Sequence, residues 1–321
     1  MQAASARHPL AEYTRRFGKL KQGGTKYGKA PHKPVFLLTI IDLIDQQVIR
    51  ENQVYISPEL VATFKENFAL LVKTTHTDDF TQPFYYLQSE GFWFLKGRSG
   101  VPIATYIRSV QTLSDSVEYA YFADDLFALL INNEARFQLK QTLLNTYFGD
   151  TKQAYLQVKN VGRSYVQELE SYLLNEKEGI YSTVLPPVDD EETRYVRGGL
   201  FKKLVPKVYD FTCAISGMKV IAVDGASLVE ACHIIPISIS GDDKVTNGIA
   251  LCPTLHTAFD RGMIGIDERM RVVVSPSLAD NVASPYNLKQ FHGQPLRLPF
   301  GEVHYPSKEG FQWHMQERFK R

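Results

Sequence analysis

Glu230-Ala-Cys-His-Ile-Ile-Pro236, then Asn247, then Leu255-His-Thr-Ala-Phe-Asp-Arg-Gly262 is the part of the chain whose reading decides the fold of its second half. It sets a histidine, an asparagine and a second histidine at intervals of 14 and 9 residues, with a carboxylate four residues beyond the last histidine. The apolar run 227–235 reads as a strand ending at Pro236. Thr246-Asn-Gly248 is turn-prone, because Asn tolerates left-handed backbone angles and Gly has no Cβ, so 240–248 reads as a loop. Residues 253–261 have Pro253 at the start, Thr254 as a cap and Gly262 just past the end, the asymmetry of a short helix. His256 and Asp260 then share one helical face, close enough to hold one ion together. A strand offers a base, a loop an amide, and a helix two metal ligands.

Those parts suit phosphodiester hydrolysis, which needs a base to activate water and a cation to stabilise charge on the phosphorane and leaving oxygen. An imidazole near its unperturbed pKa serves the first need, and an open histidine/carboxylate pair the second. The segment resembles the ββα-metal core of HNH nucleases over roughly residues 194–280, with His233, Asn247 and His256 as the three letters. The resemblance implies that His233 is the general base, that Asn247 bonds to backbone near it, and that His256 and Asp260 bind the ion. Many members place an acid or a histidine immediately before the base, whereas this chain has Cys232. Glu230, two steps back on the same strand face as Cys232, or water then completes the coordination. Magnesium or manganese is the expected ion, with zinc, cobalt or nickel as alternatives; a thiolate would bias the site toward softer ions such as zinc.

Taken singly, each of these residues has a plainer role. A lone strand histidine is usually packed, a turn Asn usually only turns, and a His/Asp pair at i,i+4 is worth a few tenths of a kcal/mol. It is their joint spacing, with Ile234-Ile-Pro236 and Phe259-Asp-Arg-Gly262 around them, that points to a nuclease core. Cys213, Cys232 and Cys252 cannot supply a four-ligand zinc knuckle, since Cys213-Ala-Ile-Ser216 has serine at the second position. Three reduced, buried thiols are expected instead.

A chain of 321 residues, 44% hydrophobic, can build two cores. No signal-like N-terminus and no long apolar run occur, so a soluble, cytoplasmic protein is expected, with no membrane partner. The net charge of +1 says little, but its distribution says more. From Arg15 to Lys33 there are seven cations, Lys29 and Lys33 among them, and no acid; a second basic stretch holds Arg194, Arg197, Lys202, Lys203 and Lys207. A single such stretch is usually a solvated loop. Two, one in each half, favour a surface for the DNA backbone.

In the first half, residues 31–47 form an apolar helix candidate with Pro34 in its first turn, and Ser57-Pro58 opens a second helix reaching about residue 72. Residues 83–96 read as an aromatic β-hairpin turning at Ser89-Glu-Gly91, with further helices between 114 and 148. Apolar spacing from 151 to 175 is helical, and two prolines and four acids at 185–192 suggest a linker. Ala30-Pro-His-Lys-Pro34 together with the Pro83-Phe84, Leu87, Gly91 and Trp93 pattern resembles the sulfur-binding domain of McrA-type HNH restriction enzymes, which sense phosphorothioate DNA. That resemblance places His32, Lys33 and Pro83 near the nucleic acid, with Pro83 against a soft sulfur atom.

The expected fold class is α+β: a largely helical recognition domain (1–150) with a small aromatic hairpin, a helix and linker (151–193), and a ββα-metal HNH nuclease domain (194–321). The expected function is a modification-dependent DNA restriction endonuclease acting on modified double-stranded DNA. Two alternatives stand beside it: a modified-DNA-binding module with an inactive core, and an HNH nuclease with no modification requirement. A single metal site serves one strand at a time, which makes a homodimer an expectation too.

Overall fold

The computed structural model describes residues 9–98, 102–160, 164–174, 190–223 and 225–321. The chain divides into two units, residues 1–167 with 181–196, and residues 168–180 with 197–321. Most of the proline-containing segment expected as a linker lies outside the described residues.

The first unit opens with α1 (Pro9–Phe17) and a two-residue ribbon, β1 (Gly24–Thr25) with β2 (Gly28–Lys29). Next comes α2 (His32–Asp45), the expected apolar helix, with every residue from His32 to Ile44 buried. Helix α3 (Pro58–Leu71) packs against it, and Ser57 caps α3 by accepting from Leu60 N at 3.2 Å. The Phe36 ring on α2 sits 5.4 Å from Trp93 and 5.9 Å from Phe84, both edge-on. Buried rings in T-shaped contact contribute roughly 0.5–1.5 kcal/mol per pair beyond the area they bury.

The aromatic hairpin expected at 83–96 takes a different form. Residues Thr81–Tyr86 are helix α4, followed by a 3₁₀ turn over Leu87–Glu90, and only Trp93–Gly97 is a strand, β3. Asp79 accepts from Thr81 N at 3.0 Å and from the Thr81 hydroxyl at 2.7 Å, which opens the helix. Gly91, at φ +70°, ends it rather than turning a hairpin. The partner of β3 comes from further along. Helix α5 (Val110–Ser116) leads into β4 (Val117–Phe122), which pairs antiparallel with β3, Trp93 opposite Phe122. A strand thus lies where only helices were expected. Helices α6 (Asp124–Ile131) and α7 (Asn133–Tyr147) follow as read.

The helical spacing at 151–175 is realised as α8 (Lys152–Asn160) and α9 (Tyr165–Leu173). Inside this unit Asp42 is fully enclosed. Burial alone would raise its pKa, but Lys140 at 2.8 Å, Lys159 and the Asn67 amide hold it below the usual carboxylate range. Glu191 and Glu192, expected in the linker, instead begin α10 (Glu191–Val208).

In the second unit, β5 (Glu230–His233) pairs antiparallel with β6 (Gly248–Leu251). Between them lie α11 (Ile237–Ser240) and a 3₁₀ turn over Val245–Asn247. Helix α12 (Pro253–Asp260) follows, with Cys252 rather than Thr254 at the cap position and Pro253 at its first turn. A second ribbon, β7 (Ile264–Ile266) with β8 (Val272–Val274), and the later helix α13 (Lys308–Glu317) complete the unit. The α+β expectation holds, with β5, β6 and α12 forming the ββα arrangement.

Candidate functional site

Register brings the site together. His233 lies opposite Gly248 and Cys232 opposite Ile249, so the histidine at the end of β5 sits beside the turn that carries Asn247. The Asn247 carboxamide accepts from Ile235 N at 2.9 Å and donates to Ile235 O and Asp242 O, each at 2.9 Å. Ile234 N donates to Asn247 O at 2.9 Å. The loop between β5 and β6 is thereby tied to the backbone just after His233, where the amide was expected.

Two groups orient the His233 ring. Phe201 of α10 stacks on it at 3.8 Å with an interplanar angle of 6°. Asp243 Oδ1 lies 3.3 Å from Nε2, while Asp243 Oδ2 lies 3.3 Å from Arg197 Nε. With Nε2–H donated to Asp243, Nδ1 carries the lone pair. Neither Phe201 nor Asp243 stands out in the sequence, because one is a core-type residue and the other lies in a polar loop.

His256 and Asp260 face each other across one turn of α12, Nε2 to Oδ2 at 3.4 Å. The Cys232 thiol reaches Asp260 Oδ1 at 3.7 Å, and ligand atoms of Cys232, His256 and Asp260 all lie within 4.8 Å of one another. One nitrogen, one oxygen and one sulfur this close fit a divalent ion, with space left for solvent or substrate oxygen. Burial pushes the Cys232 thiol well above its ordinary pKa, and Asp260 adds to the shift, so without an ion it is a neutral donor. Glu230 stands outside this trio and accepts from His256 Nδ1 at 2.9 Å. In that position its carboxylate holds one edge of the His256 ring.

A cleft of about 460 Å³ opens onto His233, His256 and Asp260, with Lys202, His314 and Arg318 also on its walls. Of the second basic stretch, Lys202 is the exposed cation that reaches this cleft. Arg197 is bound to Asp243 and donates to Gly241 O at 3.2 Å, and Lys203 pairs with Glu170 at 3.4 Å. Arg194 is exposed on the first turns of α10.

The first unit has its own cleft of about 400 Å³, and it gathers His32, Lys33 and Pro83 with Tyr86 and Gln82. Pro83 is buried and Tyr86 is 48% exposed, so the wall combines an apolar face with an accessible ring. His32 Nε2 meets Thr77 O at 2.7 Å, and burial lowers its pKa. Lys33 is not a free cation: its ammonium lies 2.5 Å from Glu90 and 2.8 Å from the Ser89 hydroxyl, with both charged side chains at 10% exposure or less. Lys29 is exposed and lines a neighbouring cleft with Lys19 and Gln22.

Residues 213–267 match the HNH endonuclease family, and residues 11–162 match the family described as ScoMcrA-like, DNA sulfur-binding domain. The chain therefore joins a ScoMcrA-like sulfur-binding domain to an HNH endonuclease domain. Among solved structures, the modification dependent TagI restriction endonuclease is similar at 24% identity over 38% of each chain, with a TM-score of 0.30. The chain thus spans well under half of that protein's length. The sulfur-binding domain of ScoMcrA complexed with phosphorothioated DNA is similar at 20% identity over 42% of this chain and 87% of that one, with a TM-score of 0.32. No curated protein matches the chain. No helix among the described residues is long and apolar enough to cross a membrane.

Proposed function

We propose that this protein is a modification-dependent DNA endonuclease. In this reading its first unit recognises phosphorothioate or another backbone or base mark, and its second hydrolyses a phosphodiester nearby. The observation that carries the proposal is the convergence of His233, His256, Asp260 and Lys202 on one cleft, behind a loop pinned by Asn247. His233 takes the proton of the attacking water at Nδ1, and Asp243 stabilises the resulting imidazolium through Nε2. Stacking on Phe201 confines the ring to one plane, which keeps the base aimed during attack. Cys232, His256 and Asp260 would hold the metal, whose chemistry when bound is charge stabilisation at the phosphate and leaving oxygen. Glu230 fixes the tautomer of His256. Lys202 adds a cation for the DNA backbone.

In the first unit, Pro83 and the Tyr86 ring offer an apolar, polarisable wall suited to a sulfur-bearing phosphate, with His32 beside it. The buried neutral thiol at Cys232 favours a second reading, in which the core binds but does not cut. One experiment separates them. The full chain is incubated with manganese and three DNAs: unmodified, phosphorothioated, and carrying modified cytosine, with His233→Ala in parallel. Cleavage of one modified DNA by the wild type and none by the variant is expected. Binding without cleavage selects the second reading, and equal cleavage of all three DNAs removes the mark requirement.

A further inference from the structure

Helix α13 lies beyond the segment that matches the HNH family, yet it packs on α12, the helix that carries His256 and Asp260. Its His314 stacks on Phe259 at 3.7 Å and 12°, and His314 Nε2 bonds Phe259 O at 3.0 Å, one residue before Asp260. Beyond the helix the chain continues onto the turn that closes α12. Lys320 N donates to Gly262 O at 2.9 Å. Gly262 has φ +67°, and a Cβ there would sit 1.9 Å from Arg318 O. At Gly265 a Cβ would sit 2.3 Å from Met315 Sδ and 3.1 Å from the Phe319 ring. Two glycines thus form a cradle in which the backbone of Arg318 rests against the turn after Asp260.

That seating has a chemical result. The Arg318 backbone is fixed, its side chain is exposed, and it lines the same cleft as His233, His256 and Asp260. Its guanidinium lies 6.0 Å from the centre of the Trp313 ring, at the outer limit of a cation–π contact. Lys202 approaches the cleft from α10, so the two exposed cations reach it from different elements. A guanidinium presents a planar fork matched to two phosphate oxygens.

We propose that Arg318 is a substrate-contacting residue that grips a DNA phosphate at the metal cleft, with α13 acting as part of the nuclease site. This rests on the nuclease reading above for its role in cleavage, but the phosphate contact is testable without any cutting. The full chain, Arg318→Gln and Arg318→Lys are titrated with duplex DNA at increasing salt, with calcium in place of the working ion. Loss of one phosphate contact lowers the salt slope by about 0.9. Arg318→Gln is expected to show that loss with an unchanged melting temperature, since only an exposed side chain changes. Arg318→Lys should restore the slope, because it keeps the charge. Where the wild type cleaves, Arg318→Gln should slow it by about tenfold or more, as expected for a lost charge-stabilising donor. A wild-type salt slope in Arg318→Gln overturns the proposal whether or not the chain cuts. A reduced slope in a chain that never cuts sustains the phosphate contact and overturns the nuclease reading instead.

Discussion

Asn247 and the Ile235 peptide form a closed pair: the carboxamide oxygen accepts from Ile235 N and its nitrogen donates to Ile235 O, both at 2.9 Å. Asn247 is 5% exposed, so water does not readily replace either bond. Removing it with Asn247→Ala orphans an amide and two carbonyls, each costing about 1–3 kcal/mol where water cannot compensate. A lower melting temperature is expected, together with cleavage slowed about tenfold to a hundredfold as His233 drifts. Asn247→Asp keeps the acceptor and loses the donors, so it should fall between the two; melting curves and single-turnover rates check the order.

The metal trio predicts a graded response. Asp260→Ala removes a ligand atom and should raise the metal concentration for half-maximal cleavage. Glu230→Gln disturbs only the bond to His256 Nδ1, and outer partners of this kind are worth roughly tenfold to a hundredfold in metal affinity. Asp260→Ala should exceed that range. Equal shifts for the two variants in a manganese titration would place Glu230 among the ligands after all.

Lys29 and Lys33 are expected to separate. Lys33 and Glu90 form a buried pair, and breaking such a pair costs about 3–5 kcal/mol because one charge is left uncompensated. Lys33→Ala should therefore lower the stability of the first unit. Lys29→Glu, at an exposed position, should leave the melting temperature alone while weakening DNA binding and flattening its salt dependence. Unaltered binding by Lys29→Glu would assign the ribbon to solvent.

Glu192 carries a pH signature. Burial pushes its carboxyl from 4.5 up to about 8, against the opposing influence of Lys65 and the Phe80 amide. Between these values the folded carboxyl holds a proton that the unfolded one has lost, so its contribution is full below about 4.5 and declines as pH rises toward 8. Glu192→Gln should flatten that part of the stability profile. Thermal unfolding across pH 4–9 tests it, and an identical pH profile in the variant would assign the decline to other groups.

The motif around His233 is readable in one dimension because strand, turn and helix are short and consecutive, so spacing alone sets geometry. Ser57 as a cap and the buried run of α2 are legible for the same local reason. Residues 81–97 are not, since their aromatic density suits strand and buried helix equally, and the decision rests on Asp79 and on pairing with β4 twenty or more residues away. Lys33 reads as a surface cation because Glu90 lies 57 residues on. Phe201 and Arg318 reach the cleft only through tertiary packing, and Asp243 is one polar residue among several in the loop after β5, so no nearby periodicity marks them.

Gly248 stands opposite His233 in the sheet, and a Cβ placed on it would come within 2.6 Å of Val205 and 3.0 Å of the Phe201 ring. Phe201 is the ring on which His233 rests. A methyl group added at 248 would have to displace that platform, tilting the imidazole without touching it. The aim of the His233 ring is thus sensitive to a position that has no functional group, and variation there should be tolerated only together with a smaller partner at 201 or 205.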